Sequence, residues 1–259
     1  MTTRGEGWYA DPQDAQRLRW WDGSAWTTHT HDRLAAPQAH HAPLPRWWSG
    51  LSLALQLAFL LSLVAAAFTL YVDLEILGFV DDIRLRPDTV TEADGARIDG
   101  LIAMSAVEVA TSLLTLLLLI VWLYTAHHSA RMDRTVLKHG SGWAIGGWFV
   151  PVLNLWRPLQ MVTDVRRGAT GESTVDVPRR QGWWWGTWVM AYGLAVISGF
   201  IYDAAASTPD DDPDAYLGLL ATAASWERFS CVLSIVGALL GIFLVREIKA
   251  LVLAPPPAA

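Results

Sequence analysis

One cysteine, Cys231, stands in 259 residues, and it lies inside a hydrophobic run. No intrachain disulfide can form, and a thiolate metal cage has no second sulfur to use. Charge is also scarce: Asp, Glu, Lys and Arg make up 17% of the chain, against roughly 25% in soluble domains. The first forty residues carry no apolar core of signal-peptide type, so no cleaved leader is expected and the first spanning helix is expected to act as its own insertion signal. A nucleotide-binding loop, a nucleophile motif and a metal-ligand set are all missing. His40 and His41 sit in a linker, and His127, His128 and His139 have no acid or cysteine at ligand spacing, so these read as solvated and basic membrane-surface positions. The acids between residues 73 and 100 lack the spacing of a calcium loop. The sequence therefore predicts no catalytic residue, no cofactor and no metal, and nothing in it calls for nucleic acid.

What the chain has in quantity is apolar sequence, 53% of it. Several nearly uncharged runs reach the ~20 residues that a helix needs to cross a bilayer core. Four spans are expected, at about 47–71, 101–124, 183–202 and 228–245, with Trp47, Trp48, Tyr71 and the Trp183–Trp185 cluster at interfacial depth. Between them, residues 73–100 and 203–227 read as solvated acidic loops. Within the first span, Ser49, Ser52 and Gln56 make a mildly polar packing face. In the last, Ser230, Ser234, Gly237 and Gly241 form a small-residue stripe of the kind that brings helices close, a possible seam for a homo-oligomer. Glu108 is the outstanding acid. Ser105, Glu108, Thr111, Ser112 and Thr115 share one face of the second span, which places Glu108 about 10 Å inside the helix start. A charged carboxylate facing lipid there costs ~2–3 kcal/mol, so it should face other helices, be protonated or find a partner.

Residues 143–167 differ from these runs. The apolar stretch from Trp143 to Trp156 is shorter than a span and is broken at Pro151 and Pro158. Beyond it, Asn154, Arg157, Gln160, Asp164 and Arg167 fall on one face and Leu155, Leu159 and Val162 on the other, the pattern of an amphipathic helix lying in the interface. Charge counting agrees. With four crossings and this segment not spanning, all but four of the 19 lysines and arginines share one side with both termini, the exceptions being Arg84, Arg86, Arg97 and Arg228. The positive-inside rule makes that side cytoplasmic.

Residues 7–33 form a separate unit. Arg17 to Trp21, then Asp22-Gly23, then Ala25 to Thr28 predict two short strands around a tight turn, with Trp8, Tyr9, Trp20, Trp21 and Trp26 stacking into a miniature core or presenting an interaction surface. GWYADP followed by RLRWWDGSAWT resembles the short tryptophan motif catalogued as domain of unknown function 2510, found near the ends of many bacterial membrane proteins. TSLLTLLLLIVWLYTAHHSARMD and GSGWAIGGWFVPVLNLWRPLQMVTDV resemble the actinobacterial membrane family catalogued as domain of unknown function 4328, over roughly Val64–Lys249. Its signature here is WFVPVLNLWRP, carried by Trp148, Phe149, Pro151, Asn154, Leu155, Trp156, Arg157 and Pro158. Where that family carries an arginine-then-asparagine pattern after WLY, this chain reads Thr125 to Ser129. Both resemblances imply architecture and a bacterial cytoplasmic membrane, and neither implies a reaction.

The resulting expectation is an all-α polytopic membrane protein with four transmembrane helices, a re-entrant or interfacial amphipathic segment and a small N-terminal β-hairpin module. Its parts are a tryptophan-rich module at 1–33, a Pro/Ala-rich linker at 34–46, the membrane domain at 47–249 and a disordered tail at 250–259. The expected function is a non-enzymatic membrane scaffold or sensor with the bilayer and a cytoplasmic protein as partners. The first alternative is an ion or small-solute translocator using Glu108 with Asn154 and Arg157, and a membrane-embedded lipid enzyme is the weaker one.

Overall fold

A computed structural model describes residues 5–32, 43–209 and 211–254. Most of the 34–46 linker and the tail beyond residue 254 lie outside them. The chain divides into two units, residues 1–41 and 42–259.

The N-terminal unit is a three-stranded antiparallel sheet, with β1 Gly7–Asp11, β2 Asp14–Trp21 and β3 Trp26–Asp32 in that order. The expected hairpin is β2–β3, and the GWYAD segment adds a third strand to it, which an isolated hairpin needs for stability. Trp8 pairs with Trp20 across β1–β2, their rings edge to face at 5.5 Å. On the other face Trp26 meets Trp21 at 5.2 Å and Tyr9 at 6.3 Å. The connection is a four-residue loop, Asp22 to Ala25. Asp22 Oδ1 accepts from the Ser24 and Ala25 backbone N–H groups and from the Ser24 hydroxyl, and Gly23 takes a left-handed φ of 93°.

The second unit is helical: α1 Trp48–Leu85, α2 Glu92–Ser105, α3 Val107–His128, α4 Trp143–Gly146, α5 Arg157–Thr170, α6 Arg179–Ala206 and α7 Pro213–Leu253. α1, the nearly continuous α2–α3, α6 and α7 are each long and apolar enough to cross a membrane. α7 packs along α1 and α6, α3 packs on α1, and α5 bridges α3 and α7 at one end.

Three expectations change here. Residues 73–85 and 92–100 are not a loop. α1 carries on well past residue 71 because Val72, Ile76 and Val80 bury against Ile98, Leu217 and Leu220; only Arg86 to Thr91 turn, and Thr91 and Asp94 form a reciprocal capping box at the start of α2. α7 likewise begins at Pro213, not near 228, and runs to Leu253, into the expected tail. The small-residue stripe of α7 is consumed inside the chain. Ser230 donates to the Ala191 carbonyl, a Cβ on Gly237 would lie 3.2 Å from the Thr187 hydroxyl, and one on Gly241 would strike the Phe59 ring at 2.7 Å.

Candidate functional site

Two polar assemblies sit at opposite ends of the helical unit. The first gathers around α5, at the end rich in lysine and arginine. Trp48, expected at the membrane interface, is fully buried and stacks on Trp122 at 5.4 Å. Its indole N–H donates to the Trp122 carbonyl, and the Trp122 indole donates to Ser52. Part of the polar face of α5 is covered by the chain itself. Asp164 is buried, accepting from the His139 backbone N–H at 2.9 Å, contacting His139 Nδ1 at 2.7 Å and pairing with Arg167 at 2.6 Å. The 129–142 segment folds over that face, and Asp133 N–H bonds the Gly168 carbonyl. His127, expected at the surface, is buried with Nδ1 3.0 Å from Ser141 Oγ. On the opposite side of α5, Arg166 pairs with Glu247 at 2.7 Å and donates to Gln181, while Arg180 reaches the other Glu247 oxygen. This network ties α5, α6 and α7 together.

The signature motif forms the elbow into α5. Trp148 is nearly buried, edge-on to Trp185 and Trp188, and the Trp185 indole donates to the Leu155 carbonyl. Gly147 is required: a Cβ there would lie 2.7 Å from the Trp143 carbonyl oxygen. Val152 adopts φ 68°, a strained value for a β-branched residue that costs about 1–3 kcal/mol. Pro158 starts α5 and is buried, whereas Pro151 and Trp156 are exposed. Arg157 stacks over Trp143 at 4.8 Å and bonds Gln160. The Asn154 side chain makes no hydrogen bond among the described residues. Asn154 and Arg157 are thus far from Glu108, and the structure does not join them into one site.

The second assembly does contain Glu108. At 1.5 Å per residue, Glu108 lies about 30 Å from His128, Glu227 about 28 Å from Arg246 and Asp73 about 37 Å from Trp48, so all three occupy the acidic end, at or just beyond a core thickness of about 30 Å. Cys231 is their shared neighbour, its Sγ 3.9 Å from Asp73 Oδ2 and 3.9 Å from Glu108 Oε2. Ser198 stands 3.4 Å from Glu227 Oε2, and the Tyr202 phenol faces the same carboxyl. Asp73 is 1% exposed. None of the three acids has a Lys, Arg or His at ion-pair distance among the described residues. They do not close on a single point: no group of three or more His, Cys, Asp or Glu among those residues is placed to hold a metal ion. Beside them opens a cleft of about 430 Å³, lined by Asp73, Glu227, Asp203, Thr69, Ser105, Tyr202, Tyr216 and aliphatic side chains.

Of these residues, the sequence singled out Glu108 and its stripe, of which Thr111 and Thr115 are buried and Thr115 bonds Ser62. It missed Asp73, assigned to a loop, and Glu227, assigned to the other acidic loop. The i, i+4 step from Glu227 to Cys231, entering an uncharged run, was the available signal.

Four helices long and apolar enough to cross a membrane, cross-linked by polar contacts at the basic end and opening an acid-lined cleft at the other, define a helical class of membrane-protein character, with a separate tryptophan sheet. The chain belongs to the family described as a domain of unknown function, DUF4328, which matches residues 81–250. Residues 7–41 match the family described as a protein of unknown function, DUF2510. No curated protein and no solved structure matches the chain.

Proposed function

We propose that this protein is a multi-pass component of the bacterial cytoplasmic membrane, with both termini cytoplasmic, acting as a non-enzymatic sensor or scaffold that couples its helical domain to the tryptophan module. The supporting observation is the asymmetry between the two ends. Arg166, Glu247, Asp164 and the Trp48–Trp122 stack make the basic end rigid and closed, while the acidic end holds unpaired carboxyls beside an open cleft. A ligand-reading domain needs that second feature, and a platform for a tethered module needs the first. Exposed Leu53, Leu57, Val64, Leu113, Leu117, Phe200 and Phe243 on the long helices suit contact with acyl chains.

Translocation is the second reading, favoured by the presence of Glu108 in the acid set. The helix contacts weigh against it. Between the Thr115–Ser62 pair and the buried Ser52, the space between helices is filled by Phe59, Leu119 and Leu55, which interrupts a polar path.

The orientation is tested by cysteine accessibility in intact cells, with Cys231→Ala as background and single cysteines at Asp88, Thr170 or Asp211. Labelling of Asp88→Cys and Asp211→Cys by an impermeant maleimide, with Thr170→Cys protected, is the expected result. External labelling of Thr170→Cys would invert the arrangement and withdraw the cytoplasmic placement.

A further inference from the structure

The cleft at the acidic end has a chemistry of its own. Its polar lining includes three carboxyls, Asp73, Asp203 and Glu227, and no lysine, arginine or histidine. Two phenols, Tyr202 and Tyr216, stand among aliphatic walls. A second hollow at the same end, about 270 Å³ between α1 and α2, shows the contrast. Its acids are already partnered: Glu75 by Arg97, Asp82 by Arg86, and Asp94 by the Thr91 cap.

A cluster of acids alone does not define a ligand. Thr69 adds an independent indication. Thr69 is 3% exposed and lines the cleft, and its hydroxyl, beside the Glu108 carboxyl, meets no partner in hydrogen-bond geometry among the described residues. A buried hydroxyl left in this state loses about 1–3 kcal/mol, which a donor entering the cleft would restore. The carboxyls want positive charge, the Thr69 oxygen can accept an N–H, and the rings of Tyr202, whose phenol already faces Glu227, and of Tyr216 offer faces to a cation. A bare metal ion does not fit, because the acids do not converge at coordination distance. The volume lies in the range of small-molecule pockets, about 300–1,000 Å³.

We infer that this cleft binds an organic ammonium ion with an apolar body, its cationic head between Asp73 and Glu227 and its body against Tyr202 and Tyr216. The inference deepens the sensor reading, on which it rests, by naming the ligand class. A primary ammonium can come from a free amine or from an aminophospholipid headgroup, and the two sources are separable by experiment.

The purified full-length chain in a nonionic detergent is titrated with phenethylamine by calorimetry, and with calcium chloride in parallel. Saturable binding of the amine is expected, weakened roughly tenfold or more by Asp73→Asn or Glu227→Gln. Tyr216→Ala, at the exposed rim and away from the buried core, should weaken binding several-fold without altering the elution profile or melting temperature, so a folding defect in the buried variants cannot mimic the result. Asp81→Asn, an acid outside the cleft, should bind as the parent does. No saturable amine binding, binding indifferent to Asp73, Glu227 and Tyr216, or calcium binding with the same variant dependence would each overturn the assignment. In nanodiscs, competition by phosphatidylethanolamine against a phosphatidylglycerol background would assign the site to a lipid headgroup; its absence would assign it to a free amine. Loss of the amine site with the labelling pattern intact removes the ligand and leaves the sensor orientation standing.

Discussion

Glu247 is a single carboxylate near the end of a 41-residue helix, yet it serves two guanidiniums. Arg166 is 6% exposed at its side chain, and its other partner is the uncharged Gln181. Removing the charge from Glu247 would leave the buried Arg166 cation with only the uncharged Gln181, and breaking one side of a buried pair costs about 3–5 kcal/mol. Glu247→Gln should therefore lower the apparent melting temperature in detergent markedly. Arg166→Met combined with Glu247→Met should recover much of the loss, since apolar replacement of both partners is often near neutral. A double variant as unstable as the single one would contradict this account. The helical pattern placed Arg167 with Asp164 on the polar face of α5 and left Arg166 off it, with no local sign of its partner. Arg167 pairs with Asp164 one turn back on α5 itself, whereas the partner of Arg166, Glu247, is supplied by α7 and depends on how the two helices pack.

At the scale of elements, the β2–β3 connection carries a pH dependence. Three hydrogen bonds from Ser24 and Ala25 hold the Asp22 carboxyl below its ordinary value of 3.8. A depressed folded-state pKa means the contribution is fully present above the unfolded value and is lost as pH falls through the folded one. The amide resonances of Ser24 and Ala25, followed in full-length protein labelled at serine and alanine, should shift together at a pH below 3.8 and stay flat above it. Asp22→Asn should abolish the titration, and a shift persisting in that variant would place its origin elsewhere. The Asp-Gly pair made this hairpin legible, because turn chemistry is local. So were the four long helices, since about 20 apolar residues leave few other choices. The extension of α1 to Leu85 was not. Residues 73–85 contain Asp73, Glu75, Asp81, Asp82 and Arg84, and their charge masks a second pattern, Val72, Ile76 and Val80 at i, i+4, i+8. That pattern becomes a core only when α2 and α7 supply its other walls. The polar face of α5 was legible as a pattern, but not that its Asp164 is covered by the preceding loop through His139.

For the molecule as a whole, the charge segregation that suggested a cytoplasmic end also divides the structure by mechanics. Near the basic end, the inter-helix space is filled by Trp48 on Trp122, and by Phe59, Leu119 and Leu55 beyond them. Near the acidic end, polar groups converge without cations, and the cleft opens beside them. If the carboxyls served a proton path, polar side chains would have to continue toward the basic end. They break off at the Thr115–Ser62 pair, 2.9 Å apart, and resume only at Gln56 and Ser52, about 9–15 Å further along α1 beyond Phe59 and Leu119. Vesicles reconstituted with the protein and loaded with a pH-sensitive dye should therefore hold an imposed proton gradient as long as protein-free vesicles do, and Glu108→Gln should make no difference. Faster collapse in the parent protein that Glu108→Gln abolishes would require an opening through the Trp48–Trp122 layer, and would replace the sensor reading with a translocator. Amine binding without gradient collapse would instead leave the cleft as a receptor surface, whose occupancy reaches the basic end only through movement of α7, the helix that carries both Glu227 and Glu247.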